Sequence, residues 1–204
     1  MSAAVTAHPA DATWRLPNKG IVGILLFIAA EVSLFAIFLS AYLYYIGQSL
    51  SGPTPAEVLH FPVGMTVALL SSSVTIHFAT RALHRGATRT FGALWFLTIV
   101  LGVAFLMGTA REWHELIVVD HLTISTNLFG TTYYSLVGLH ASHVIAGLVL
   151  LGFAMVFTLA GRVRPADVVR LEVISIYWHF VDVVWIVVVT VVYVISVQGG
   201  AGGS

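Results

Sequence analysis

His179 and Asp182 stand three residues apart in Tyr177-Trp178-His179-Phe180-Val181-Asp182-Val183-Val184-Trp185, at the head of an apolar stretch that runs to Val197. That spacing sets an imidazole and a carboxylate on one face of a helix. An acid near the centre of a bilayer costs about 2.5–3.5 kcal/mol on insertion scales, so its helix must pack into something that receives it. Two pairings are open: the two residues bond to one another, or to histidines of a neighbouring helix.

His140 and His143 supply such histidines, three apart in Gly138-Leu139-His140-Ala141-Ser142-His143-Val144. With His77, His179, Glu31 and Asp182 they have the donor types of a metal site or of axial haem ligands. His-x-x-His also occurs without metal, and the chain contains no His-Glu-x-x-His. Histidines hydrogen-bonded between helices are therefore the simpler expectation. Glu31 lies within Leu25–Phe35, where its only polar neighbour is Ser33. A protonated or hydrogen-bonded carboxyl is expected there, as part of a proton relay or ion site, or as a neutral acid bonded to the next helix. Arg111-Glu112-Trp113-His114-Glu115 offers groups for a cation, but a solvated loop after a helix end is the plainer reading.

The elements that position these groups follow from composition. The 204 residues are 58% hydrophobic and 9% charged, and mean hydropathy is +0.96. Soluble domains carry roughly 25% charged residues, so the chain reads as integral to a membrane. Zero formal net charge argues against nucleic acid as a partner. The absence of cysteine excludes disulfides, thiolate metal sites, covalently attached c-type haem and iron–sulfur clusters in this chain.

Five segments reach the roughly 20 residues that a spanning helix needs: Gly20–Tyr45, Val63–Leu83, Phe91–Ala110, Gly130–Leu159 and Val173–Val197. The expectation is an all-α bundle of five transmembrane helices over 20–197. A polar tail, not a cleaved signal, is expected over 1–19, and a flexible tail over 198–204. Gly52-Pro53-Thr54-Pro55, Arg85-Gly86 and Gly161-Arg162-Val163-Arg164-Pro165 mark the breaks. Gly138, Ser142 and Ala146, recurring every four residues, predict a close helix approach, with Ser71-Ser72-Ser73 doing the same on the second segment. Trp178, Trp185, Tyr42, Tyr44, Tyr45, Tyr133 and Tyr134 read as interfacial or packing aromatics.

Eight of the nine Lys/Arg residues fall at one set of segment ends; Arg111 alone falls at the other. The positive-inside rule then puts the N-terminus in the cytoplasm and the C-terminus outside. Glu31 lies eleven residues into its segment, roughly 16 Å from the inner end at 1.5 Å per residue. His140, His143, His179 and Asp182 fall in the same middle-to-inner band, with His77 near it.

Together these residues resemble subunit III of the haem–copper oxidases, specifically of cytochrome c oxidase, from about Gly20 to Val197. The most specific segments are Tyr177–Trp185 and Gly138-Leu139-His140-Ala141-Ser142-His143-Val144-Ile145-Ala146-Gly147. Leu122-Thr123-Ile124-Ser125 with Phe129-Gly130-Thr131-Thr132-Tyr133-Tyr134, Glu31-Val32 and Glu112-Trp113 match in order. The resemblance implies a non-catalytic subunit of a proton-translocating oxidase, without haem or copper of its own, beside subunits I and II that hold both. It implies structural phospholipid, support of assembly and proton uptake, stability during turnover, a place in a respiratory chain or supercomplex, and a bacterial plasma membrane. Glu31 would be the family's carbodiimide-reactive acid.

Two departures accompany it. Many members have seven helices with a lipid cleft between the first two and the last five, whereas this chain starts at the third; a neighbouring subunit would supply the missing wall. Thr109 stands where relatives commonly carry Gln. Three alternatives remain: subunit III of a quinol oxidase or related respiratory complex, a proton-coupled carrier using Glu31 and Asp182, and a haem or metal enzyme using the intramembrane histidines. A carrier usually shows internal repeats or broken helix pairs, which this sequence lacks.

Overall fold

Asn18 opens the first helix by accepting the Gly20 amide on its side chain at 2.9 Å, filling one of the orphan donors of a helix start. The computed structural model describes residues 18–49, 51–161 and 168–196. The tail expected over 198–204, the Arg162–Pro165 turn and all of the N-terminal tail before Asn18 lie outside the described residues.

The elements are α1 (Lys19–Tyr45), a short α2 (Pro55–Val58), α3 (Val63–His84), α4 (Thr88–Val118), α5 (Leu128–Leu159) and α6 (Val168–Val189), which continues as a π-helical turn over Thr190–Ile195. The described residues contain no strand. Five of the helices are long and apolar enough to cross a bilayer, as the sequence predicts. The main difference is α4. It runs eight residues past Ala110 to Val118, so Arg111–Glu115 is helix and not the expected loop.

The packing is uneven. In the most apolar window of α6, 61% of residues are buried, against 6% for α1. Accordingly α6 packs on α1, α3 and α5, while α4 packs on α3 and α5. Gly20 lies beside Val169 and Val173, and Tyr42 bonds Ser196 at 2.8 Å, so α1 and α6 run parallel. His84 meets Glu172 and Thr66 meets Trp185, so α3 runs antiparallel to them. Gly86 (φ 70°) turns α3 back into α4 in a conformation that favours glycine. Lys19, Arg85, Arg89 and Arg170 consequently share one end of the bundle, and Arg111 lies at the other.

Asn127 fixes the start of α5. Its carboxamide accepts the Gly130 amide at 2.8 Å and donates to the Ser51 and Pro53 carbonyls, both at 3.1 Å, tying the segment after α1 to α5. A Cβ on Gly130 would run into the Thr123 carbonyl oxygen, so only glycine fits this corner.

Candidate functional site

Glu31 projects from α1 and meets His143 of α5, with Glu31 Oε2 and His143 Nε2 2.9 Å apart and both side chains mostly covered. His143 Nδ1 is 2.8 Å from the Leu139 carbonyl. A carbonyl only accepts, so Nδ1 must carry a hydrogen. If the imidazole is neutral, Nε2 is bare and the Glu31 carboxyl supplies the proton between them. If the imidazole is charged, the proton sits on Nε2 and Glu31 is ionised. Either way one transferable proton lies between the two groups. Phe35 covers the imidazole, with ring centroids 5.0 Å apart, and Tyr177 donates to the His143 carbonyl at 3.1 Å. Glu31 is thus bonded to a neighbouring helix, as expected.

The other predicted residues separate from this pair. His179 Nδ1 bonds Ser73 Oγ of α3 at 2.7 Å. Asp182 is 3% exposed, and neither carboxyl oxygen has a hydrogen-bond partner in the structure. The expected Asp182–His179 or Asp182–α5 histidine bond is therefore not formed. His140 also differs from expectation: it is fully buried, both ring nitrogens are unpartnered, and it stacks on Trp185 at 5.1 Å with Phe105 edge-on. Its helix turns it into an aromatic core, not toward a polar neighbour. His77 is exposed on α3. Among the described residues no three His, Asp or Glu side chains converge on a point where a metal would sit. His143 commits both nitrogens, His179 commits one to Ser73, and His140 is walled in by aromatic rings.

Trp178 is a centre that the sequence did not single out beyond packing. It is 0% exposed, and its indole N–H donates to Ser72 Oγ at 2.8 Å, which in turn donates to the Leu69 carbonyl at 2.6 Å. Gly102 of α4 and Gly147 of α5 flank the ring; a Cβ on either would fall 2.8 or 2.7 Å from its atoms. The predicted stripe sits elsewhere. Ser142 and Ala146 are exposed, and the close approach occurs at Gly102 and Gly147 instead. The signal was available in Gly147, which ends the quoted α5 segment, but nothing in the spacing named its partner. Ser72 and Ser73 serve as hydrogen-bonding groups for α6, not as spacers.

At the opposite end, Glu112 turns inward from the extended α4. Tyr193, on the π-helical turn, donates to Glu112 Oε1 at 2.7 Å and lies 3.3 Å from the Tyr133 hydroxyl. Glu112 Oε2 is buried without a partner. A cavity of about 470 Å³ opens beside it, lined by Glu57, His60, Glu112, Glu115 and Asp120 among others. Glu57, outside the spans, is held below the ordinary carboxylate range by the Thr54 backbone N–H it accepts, at 2.8 Å.

Comparison with known proteins covers nearly the whole chain. The family model described as cytochrome c oxidase subunit III matches residues 14–197. The chain is 34% identical over 200 residues to cytochrome c oxidase subunit 3 of Alkalihalophilus pseudofirmus, covering 97% of each chain. It is 35% identical over 188 residues to that of Corynebacterium diphtheriae, covering 88% of this chain and 90% of the relative. Against that of Bacillus sp. the identity is 33% over 192 residues, covering 93% and 91%.

Proposed function

Since this chain belongs to the cytochrome c oxidase subunit III family, we propose that it is the non-catalytic, cofactor-free subunit that supports assembly, proton uptake and turnover stability of an aerobic terminal oxidase. Membership implies a complex with other oxidase subunits and a role in the respiratory chain. On our reading those partners are subunits I and II, which hold haem and copper and reduce oxygen to water with electrons from cytochrome c. The relatives' printed names, all cytochrome c oxidases, support that donor over quinol.

The observation that carries the proposal is the Glu31–His143 pair. It holds one transferable proton between α1 and α5 with both side chains mostly covered, and with the exposed Phe27 and Leu34 on the α1 surface around it. Of the remaining site residues, His179 ties α6 to α3 through Ser73 and His140 of α5 stacks on Trp185 of α6, while Asp182 is buried without a hydrogen-bond partner. The sparsely packed α1, with its exposed Leu25, Leu26, Val32 and Ile37, supports a surface for phospholipid or for a partner subunit. Segregation of Lys19, Arg85, Arg89 and Arg170 from Arg111 supports an N-terminus in the cytoplasm and a C-terminus outside. We place the protein in a bacterial plasma membrane, as one unit over 20–197 with polar tails, in keeping with its bacterial relatives.

The test is the catalytic lifetime of the complex carrying Glu31→Gln. The amide keeps a donor for His143 but cannot exchange a proton with it. We expect the oxidase to assemble with near-normal initial activity and to inactivate after fewer turnovers. An unchanged lifetime would remove Glu31 from proton-uptake support.

A further inference from the structure

A closed ring of contacts surrounds the imidazole that bonds Glu31. Phe27 and Phe35 stand four residues before and after Glu31 on α1, so all three share one helical face. Phe35 covers the His143 ring with centroids 5.0 Å apart and planes at 57°. Phe180 of α6 meets Phe35 edge-on, at 6.3 Å and 71°, and Tyr177 lies 6.5 Å from Phe180. The Tyr177 hydroxyl donates to the His143 carbonyl at 3.1 Å, which brings the ring of contacts back to its starting residue. Phe27 packs on Tyr177 at 6.2 Å. Phe35, Tyr177 and Phe180 are all buried. Phe35 therefore has little freedom to leave the imidazole, and α6 is what holds it there.

Burial alone would favour the uncharged form of an acid–imidazole pair. Two contacts of His143 oppose it. An aromatic face carries negative charge density, and a cation within about 6 Å of its centroid is attracted to it, most strongly where water is excluded. The Leu139 carbonyl, 2.8 Å from Nδ1, acts in the same sense, because a charged N–H donates a stronger bond than a neutral one. We propose that Phe35 is a positioning residue for the shared proton: its ring holds the proton on His143 Nε2 and keeps Glu31 an ionised acceptor. Exchange then begins with transfer from Nε2 to Oε2. The N–H bond breaks as the O–H bond forms, and imidazolium and carboxylate become neutral imidazole and neutral carboxyl. Other titratable groups are engaged or distant. Glu31 is the one such residue of α1 between Lys19 and Tyr42, and α4 has none between Arg89 and Arg111. On α5, His140 is enclosed by Trp185 and Phe105. On α6, His179 bonds Ser73, Glu172 meets His84 at the end of the bundle, and Asp182 is buried without a hydrogen-bond partner.

This deepens the reading of the Glu31–His143 pair and rests on it, so the test reads the ionisation of Glu31 and not oxidase activity. Infrared difference spectra of the intact complex, wild type against Glu31→Gln, isolate the Glu31 group. We expect carboxylate bands to predominate over a neutral carboxyl band in the wild type. Phe35→Leu keeps an apolar side chain but removes the π face. It should shift the carboxylate-to-carboxyl ratio roughly two- to thirtyfold toward carboxyl, the range that a cation–π contact spans. Phe35→Tyr should restore the wild-type ratio. A predominantly neutral Glu31 carboxyl in the wild type overturns the proposal. So does a ratio unchanged in Phe35→Leu, or one shifted equally in Phe35→Tyr, which would trace the effect to packing and not to the ring. If Phe35→Leu fails to assemble, Phe35→Met, which also lacks a π face, decides by the same reading. The catalytic lifetime of Glu31→Gln, by contrast, bears only on proton-uptake support.

Discussion

Glu31 and His143 share one proton whichever of them holds it, and that makes glue and relay separable by substitution. Glu31→Gln preserves a donor to His143 and tests proton exchange alone. Glu31→Leu leaves His143 Nε2 unpartnered, at a cost of roughly 1–3 kcal/mol. We therefore expect Glu31→Leu to lower the yield or thermal stability of the complex while Glu31→Gln does not, measured as haem recovered per membrane protein and as inactivation temperature. Equal yields and stabilities for the two would mean that the bond holds nothing together. The position and depth of Glu31 were legible in the sequence because an acid in Leu25–Phe35 has few alternatives. Its partner was not: His140 and His143 differ only in which way α5 turns them. One faces Glu31; the other lies in an aromatic core.

Among the elements, α6 is the post around which α1, α3 and α5 are arranged, and Trp178 is its most enclosed contact. The ring occupies the space that a side chain at Gly102 or Gly147 would need. Gly147→Ala is expected to destabilise the bundle by about 1–3 kcal/mol, the usual cost of overpacking a tight core. Trp178→Phe in the same chain should restore part of that loss by shrinking the ring, even though it abandons the bond to Ser72. Thermal inactivation of the single and double variants measures both, and additive losses would contradict the steric account. Helix existence and approximate bounds were readable from apolar length alone. The end of α4 was not, since Arg111–Glu115 reads as polar surface until Tyr193 is known to reach Glu112. That contact spans 81 residues and leaves no local pattern.

For the whole molecule, the charge asymmetry is a statement about direction across the bilayer. The chain has no cysteine, so a single introduced thiol reports topology cleanly. A membrane-impermeant thiol reagent should label Glu115→Cys in intact cells and Arg85→Cys only after the cells are opened. The reverse pattern would invert the bundle. The measurement that bears most directly on the central claim is spectroscopic. The tagged chain is purified in mild detergent from its own membranes, and reduced-minus-oxidised spectra are taken before and after its partners are stripped away. The account predicts haem in the intact preparation and none on the stripped chain. Haem retained by the stripped chain, or missing from both preparations, would contradict it.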